Sequence, residues 1–250
     1  LTNKYSGLIA LTVEKGDFIK VNYTGQFDGE NIFDTTSKEL ARENEIYNPR
    51  GVYGGDVIVV GAGHTIQGLD EDFVGKAVGY TGSVDIPPEK GFGAHDPALV
   101  ESIPVNRFEK KEIYPGMNVE LNGKRGVVVK VIGRRARVDF NHPLAGKTVT
   151  YEYTIESRLE DSAARIRGLL SLYTGMPELA VEIEDTVAVI NIPPEFTYNQ
   201  RWLMSKGRIA TEIIEYTEVE KVRYVETYPP EQATEEAEDA KEDETEAGEE

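Results

Sequence analysis

The sequence predicts an α+β fold in which an antiparallel β structure is interrupted by a small β-rich insert and followed by a C-terminal α+β domain. Three observations lead there. Residues 16–93 are rich in Gly and β-branched residues and hold short strand-like runs, FIKVNYTG, DVIVVGAG and TGSVDIPP, with only brief helical stretches between them. After a segment of different character, GKTVTYEYTIE at 146–156 returns to the period-two alternation of the first region. Residues 157–228 then read as helix, two strands, helix and strand.

In VNYTGQFDGENIFDTT (21–36) two alternating runs flank a turn-like FDGE, so a hairpin would gather Tyr23, Phe33 and Asp34 at one edge. SKELARENEIY, in a long connection, and GLDEDFVG, after Gln67, are short helical candidates. HDPALVESIPVNRFEKKEIYPG is Pro-punctuated and reads as irregular. MNVELNGKRGVVVKVIGRRARVDF reads as three strands joined at Asn122-Gly123 and Gly133-Arg134, since Asn-Gly between alternating runs favours a tight hairpin turn. Ser157 with Glu160 has the S-x-x-E spacing of a capping box, opening a helix with Leu159, Ala163, Ile166, Leu170 and Tyr173 on one face. AVEIE and TVAVINI follow as strands. A second helix carries Trp202, Ile209, Ile213 and Tyr216, and KVRYVETY is a last strand stopped by Pro229-Pro230. Residues 231–250 contain no aromatic or β-branched aliphatic residue and cannot bury enough to fold. The expected units are 1–94 with 140–156, an insert over 95–139, a domain over 157–230 and a disordered acidic tail over 231–250.

Composition narrows the chemistry. The 250 residues carry a net charge of −18, of which the 231–250 tail supplies −10. An acidic body argues against non-specific binding to nucleic acid or anionic membranes. No cysteine is present, which excludes disulfides, a thiol nucleophile and Cys-ligated metal and suits a reducing compartment. No apolar run approaches the roughly 18 residues of a membrane span. The first residues lack a signal-peptide pattern, so the cytoplasm is expected. His64, His95 and His142 have no metal-ligand spacing. GAGHTIQG lacks both the G-K-[ST] ending of a phosphate loop and the G-x-G-x-x-G pattern, and no G-x-S-x-G elbow exists. No cofactor is expected. Aromatic and aliphatic residues at the edges of a β structure remain, and these build apolar clefts.

Four stretches, GDFIKVNYTGQFDGENIFDTT, VVGAGHTIQGLDEDFVGKAVG, SVDIPPEKGFG and NHPLAGKTVTYEYTIE, resemble in order the successive signatures of FKBP-type peptidyl-prolyl cis-trans isomerases. The inserted 95–139 is similar to the insert-in-flap module of SlyD-like members. The connection at 37–55 and the domain after 157 resemble the long archaeal branch. The resemblance implies a bent antiparallel sheet wrapped on a short helix and a non-covalent isomerase of X–Pro bonds. It implies site positions at Tyr23, Phe33, Asp34, Ile66, Leu69, Phe92 and Tyr151, with Thr65 and Leu144 flanking the substrate. Leu69 stands where many members have Trp or Phe. Phe92 lacks the hydroxyl of the usual Tyr, and Tyr151 adds one to the usual Phe. Asp34 would act electrostatically or orient Tyr23, and Leu144 would overhang the pocket.

The insert is expected to bind extended chains through Ile113, Tyr114, Met117, Val119 and Leu121, unless these form its own core. The resulting expectation is a prolyl isomerase with chaperone activity on unfolded or nascent polypeptides containing X–Pro bonds. The alternative is a non-catalytic holdase. The reading also allows a ribosome contact and a homodimer through the C-terminal domain.

Overall fold

A computed structural model describes residues 12–49, 51–108, 112–176 and 179–228. The 231–250 tail and the Pro229-Pro230 stop lie outside the described residues.

The strands β1 (Phe18–Phe27), β2 (Asn31–Thr35), β3 (Asp56–Val59), β4 (Thr81–Ile86) and β9 (Val149–Leu159) make one sheet. Its order is β2-β1-β9-β4, with β3 also pairing β1, and every pairing is antiparallel. The hairpin expected at FDGE joins β1 to β2, and Asp28 (φ 52°) and Gly29 (φ 78°) supply its left-handed turn. Register shifts at Lys20/Val21 and Gly25/Gln26 mark irregularities in β1, the kind that bend a strand. Over the middle of β1 and β9 one face is apolar (Val21, Tyr23, Phe27, Val149, Tyr151, Tyr153 and Ile155) and packs into the first core. The other face carries Thr24, Gln26, Thr150, Glu152 and Thr154. Helix α2 (Gln67–Phe73) closes that core with Leu69 and Phe73, both fully buried. It lies so close that a Cβ on Gly68 would come within 2.5 Å of Ile86 Cγ2, so only glycine fits. Helix α1 (Lys38–Glu43) is shorter than SKELARENEIY suggests, and Ser37 caps it by accepting the Leu40 N–H at 3.3 Å.

The insert is a four-stranded sheet, not a three-stranded one. Strands β5 (Val100–Pro104), β6 (Asn118–Leu121), β7 (Lys124–Ile132) and β8 (Arg135–Asp139) are ordered β5-β8-β7-β6. The turns at Asn122-Gly123 and Gly133 fall where expected. The Pro-punctuated stretch expected to be irregular contains β5, which tolerates Pro104 because it is an edge strand. At the neck, Gly146 N–H donates to Gly93 O (2.8 Å), His95 Nε2 pairs with Asp139 Oδ2 (2.8 Å), and Asn141 Nδ2 donates to Asp96 O (2.9 Å).

The C-terminal unit has the expected order: α3 (Ser162–Thr174), β10 (Val181–Glu184), β11 (Val187–Ile192), α4 (Gln200–Tyr216) and β12 (Lys221–Glu226). Strands β11 and β12 are parallel, as a crossover through a helix requires. The Ser157–Glu160 capping box does not form. Strand β9 runs on to Leu159 because Leu159 pairs with Phe18, and Asp161 is the true cap, accepting the Ala164 N–H at 2.7 Å.

This unit shares a core with the main sheet. Phe18 and Val59 are fully buried among Ile166, Leu169, Leu170, Ile190, Trp202 and Ile213. A Cβ on Gly168 would meet Val57 Cγ1 at 2.3 Å, so α3 lies directly on β3. That explains why VIVV at 57–60 is continuously apolar: Ile58 and Val60 face the first core while Val57 and Val59 face the second. Among the described residues, no helix is long and apolar enough to cross a membrane.

Candidate functional site

The hairpin brings β2 beside β1, and β9 flanks β1 on its other side. Gly25 is the common neighbour, in register with Asp34 on one side and Tyr151 on the other. A Cβ there would lie 2.8 Å from Phe33 Cζ and 2.9 Å from Tyr151 Cζ, so the glycine makes room for two rings to meet over the strand. The Phe33 ring is edge-on to Tyr151 at 5.7 Å between centroids and edge-on to Phe92 at 5.5 Å. Tyr23 lies against Tyr151 at 5.7 Å. Such edge-to-face contacts suit the ring quadrupoles and fix ring orientation.

All seven residues named from sequence as the site core, except Asp34, belong to one packed group. Leu69 (0% exposed) and Tyr151 (2% exposed) are fully within the first core, and Tyr23, Phe33, Ile66 and Phe92 lean on it half-buried. Tyr23 and Phe33 are therefore rim residues, not interior ones. Thr65 precedes Ile66 and is likewise half-buried. A cavity of about 360 Å³ opens beside Tyr23, Phe33 and Asp34, within the range of small-ligand pockets. Ile46 and Tyr53 from the long connection and Asp56 from β3 also line it, as do Leu172 and Arg201 from the C-terminal unit.

Two carboxylates stand in this cavity. Burial pushes the Asp34 carboxyl up to about 6, with the nearby Asp56 charge adding to the shift. Burial also raises Asp56, against the opposing hydrogen bond from Tyr23. The Tyr23 hydroxyl donates to Asp56 Oδ2 at 2.9 Å. Asp56, not Asp34, therefore orients Tyr23. Burial first, and then the Asp56 and Asp34 charges, hold the Tyr23 phenol well above its ordinary range. Asp56 was not foreseen. It follows Gly54-Gly55 in a stretch with no periodic signal, and only the pairing of Val21 with Asp56 brings it beside Tyr23.

Two other expectations change. Leu144 does not overhang the pocket: at 6% exposure it is part of the first core. The residue of that loop that meets the site is His142, whose ring stacks on Phe92 at 4.7 Å and 2°. In the insert, Met117 and Val119 are buried, and Ile113 and Leu121 pack against the same cluster with Val128, Ala136 and Val138. A module this small has little apolar surface to close itself with, so these four belong to its core. Tyr114 alone of the five is exposed, at 61%. Among the described residues, no group of three or more His, Asp or Glu is placed to hold a metal.

Three protein-family models match stretches of this chain. The model of FKBP-type peptidyl-prolyl cis-trans isomerases matches residues 10–108, that of the FKBP26 IF domain matches 101–144, and that of the FKBP26 C-terminal region matches 162–229. A short-type peptidyl-prolyl cis-trans isomerase of Methanocaldococcus jannaschii is 38% identical over 148 residues, covering 58% of this chain and 92% of that protein. A probable FKBP-type 16 kDa peptidyl-prolyl cis-trans isomerase of Pseudomonas fluorescens is 34% identical over 101 residues, covering 38% of this chain and 67% of the relative. The SlyD isomerase of Helicobacter pylori is 29% identical over 102 residues, covering 39% and 55%. On these matches, and on the aromatic cleft that the hairpin builds, the chain belongs to the FKBP-type peptidyl-prolyl cis-trans isomerase family and is an enzyme of that class.

Proposed function

We propose that the cleft bounded by Tyr23, Phe33, Ile66, Leu69, Phe92 and Tyr151 is where this isomerase turns X–Pro bonds, and that the insert delivers unfolded polypeptide to it. The observation that carries the reading is the convergence of Phe33, Phe92, Tyr23 and Tyr151 within 5.5–5.7 Å contacts; of the six, Tyr23 and Phe33 also line the open cavity, and Ile66, Leu69, Phe92 and Tyr151 stand outside its lining.

The barrier to rotation, ~18–20 kcal/mol, is amide resonance. A planar amide is strongly dipolar, and a twisted one has lost conjugation and is less so. An apolar wall therefore disfavours the planar form relative to the twisted one more than water does. A thousandfold acceleration requires only ~4 kcal/mol of this difference. The aromatic rings grip the proline, and the backbone N–H of Ile66, the N-cap residue of α2, donates to a substrate carbonyl. Asp34 responds electrostatically to the turning amide dipole. No covalent intermediate is required.

The insert's part rests on its position. Its neck is tied to Gly93, one residue from Phe92, and its return strand leads through His142, which stacks on Phe92. A chain held there is held close to the cleft, which raises the local concentration of its prolines. Exposed Tyr114, Val129 (52%) and Ile132 (63%) are its apolar contacts. On this reading the working units are the sheet of residues 12–94 with 140–159, the insert between them and the unit after 161.

A protease-coupled cis/trans assay tests both halves. The full chain should accelerate a short X–Pro tetrapeptide and the refolding of a proline-limited protein. Removal of 95–139 should reduce the second about tenfold more than the first. Equal losses would reject the delivery role. A full chain that suppresses aggregation without speeding the tetrapeptide would reject the cleft and favour a holdase.

A further inference from the structure

The turn between β3 and α2 carries Thr65 and Ile66; Ile66 is the helix N-cap, offers no capping side chain, and is tied to the helix through its carbonyl, which accepts the Leu69 and Asp70 N–H groups at 3.1 Å. On the α2 side the turn is held by Asp70, whose carboxylate accepts the N–H groups of Gly61 (2.8 Å) and Gly63 (3.4 Å). On the other side it is held by His64. Gly61 (φ 85°) and Gly63 (φ 71°) are left-handed, so the chain reverses there and drives the His64 ring inward.

The His64 side chain is 1% exposed and both its nitrogens are engaged. Nδ1 accepts the backbone N–H of Val59 at 3.0 Å, so the ring hydrogen sits on Nε2, which donates to Glu212 Oε2 at 2.9 Å. Glu212 belongs to α4, in the C-terminal unit. Its other oxygen accepts from the Tyr173 hydroxyl (2.6 Å, α3) and from Arg208 Nε (2.8 Å, α4). The Tyr173 ring stands edge-on to His64 at 5.8 Å. Two helices of the C-terminal unit thus converge on one carboxylate, and that carboxylate reaches across to a single ring in the isomerase turn.

We propose that Glu212 is a positioning residue of the isomerase site, fixing through His64 the orientation of the Thr65–Ile66 backbone. The inference rests on the reading that Ile66 N–H holds the substrate carbonyl. A buried carboxylate with three donors has one geometry and cannot drift. A hydrogen-bond donor displaced by a fraction of an ångström loses most of its advantage in the transition state. The C-terminal unit is on this account part of the catalytic scaffold and not an appendage, consistent with Leu172 and Arg201 lining the same cavity as Asp34 and Asp56.

The test is a double-mutant cycle in the full chain, read as kcat and KM on a tetrapeptide. Glu212→Ala and His64→Ala should each lower kcat/KM about tenfold, mostly in kcat, and the pair together should do no worse than either alone. The Ile66 amide resonance should shift in each variant. A second variant guards against simple unfolding: Tyr173→Phe keeps the ring on His64, removes one donor to Glu212, and should lower kcat about twofold to threefold. Folded variants with wild-type kcat and an unmoved Ile66 resonance would overturn the proposal, as would losses that multiply. If the unaltered chain turns over no tetrapeptide, the reading of the cleft has failed. If it does and Phe33→Ala abolishes turnover while Glu212→Ala and Tyr173→Phe leave it intact, only the present inference has failed.

Discussion

The cleft and the insert both present apolar side chains to solvent, but on different foundations. Behind Phe33, Phe92 and Tyr23 lies a floor of Leu69 and Tyr151 that is 0% and 2% exposed, continuous with the main core. Behind Tyr114, Val129 and Ile132 lies only the six-residue cluster of the insert, two of whose members, Ile103 and Val119, are each 9% exposed. Interlocked rings on a dense floor hold one arrangement. Isolated side chains on a thin sheet can accept many partners. Accelerating a bond rotation needs fixed surroundings, whereas retaining an unfolded chain does not. The difference in backing is thus the physical argument behind the proposal that rate belongs to one region and capture to the other.

The largest expected effect breaks the fixed side of this contrast. Phe33→Ala removes the ring that links Phe92 to Tyr151 and should lower kcat/KM on a tetrapeptide about a hundredfold, with the circular dichroism spectrum retained. Gly25→Ala makes the same point without deleting a ring. Its new Cβ, at 2.8 Å from Phe33 and 2.9 Å from Tyr151, must push both aside, and the rate should fall nearly as far. Wild-type turnover in Gly25→Ala would mean that the rings need no preset arrangement, and the distinction from the insert would disappear.

A smaller effect concerns charge. Asp34 titrates at about 6 in the folded protein against an ordinary 3.8, so ionisation opposes folding. Its stabilising contribution is complete below pH 3.8 and is lost as pH rises through about 6. Asp34→Asn should therefore be more stable than the parent at pH 7 by up to about 3 kcal/mol and gain nothing at pH 3.5. Activity should run the other way. If the ionised carboxylate answers the amide dipole, kcat/KM of the parent climbs severalfold through pH 6, and the variant shows no such step. A variant that keeps the step assigns it to Asp56.

Much of this was legible. FDGE between alternating runs identified the hairpin, and the hairpin alone gathers Tyr23, Phe33 and Asp34. Local signals failed where tertiary pairing decided the outcome. Ser157–Glu160 has the spacing of a helix cap, but a longer β1–β9 ladder claims Ser157 through Leu159 first. Strand β5 has one buried side chain, Ile103, in an edge position and so carries no alternation to read. Asp56 and Glu212 matter through partners 33 and 148 residues away in sequence, a separation at which no spacing rule operates. The insert's apolar residues were ambiguous for another reason: in so small a sheet the same alternation describes a core and a binding face.

That ambiguity leaves the smallest prediction, on the adaptable side of the contrast. Tyr114 is the single exposed member of the five apolar insert residues, standing just ahead of the Gly116 turn into β6. Tyr114→Ser removes an aromatic face without touching the core of Met117, Val119 and Val128, so the melting temperature should hardly move. If capture is spread over several weak apolar contacts, losing one should slow refolding of a proline-limited protein only about twofold relative to tetrapeptide turnover, because Val129 and Ile132 remain. A tenfold loss would mean that one residue dominates, as in a preformed pocket with a hot spot. The insert would then resemble the cleft in kind, and the division between a rigid site of reaction and a tolerant site of capture would have to be drawn elsewhere in the molecule.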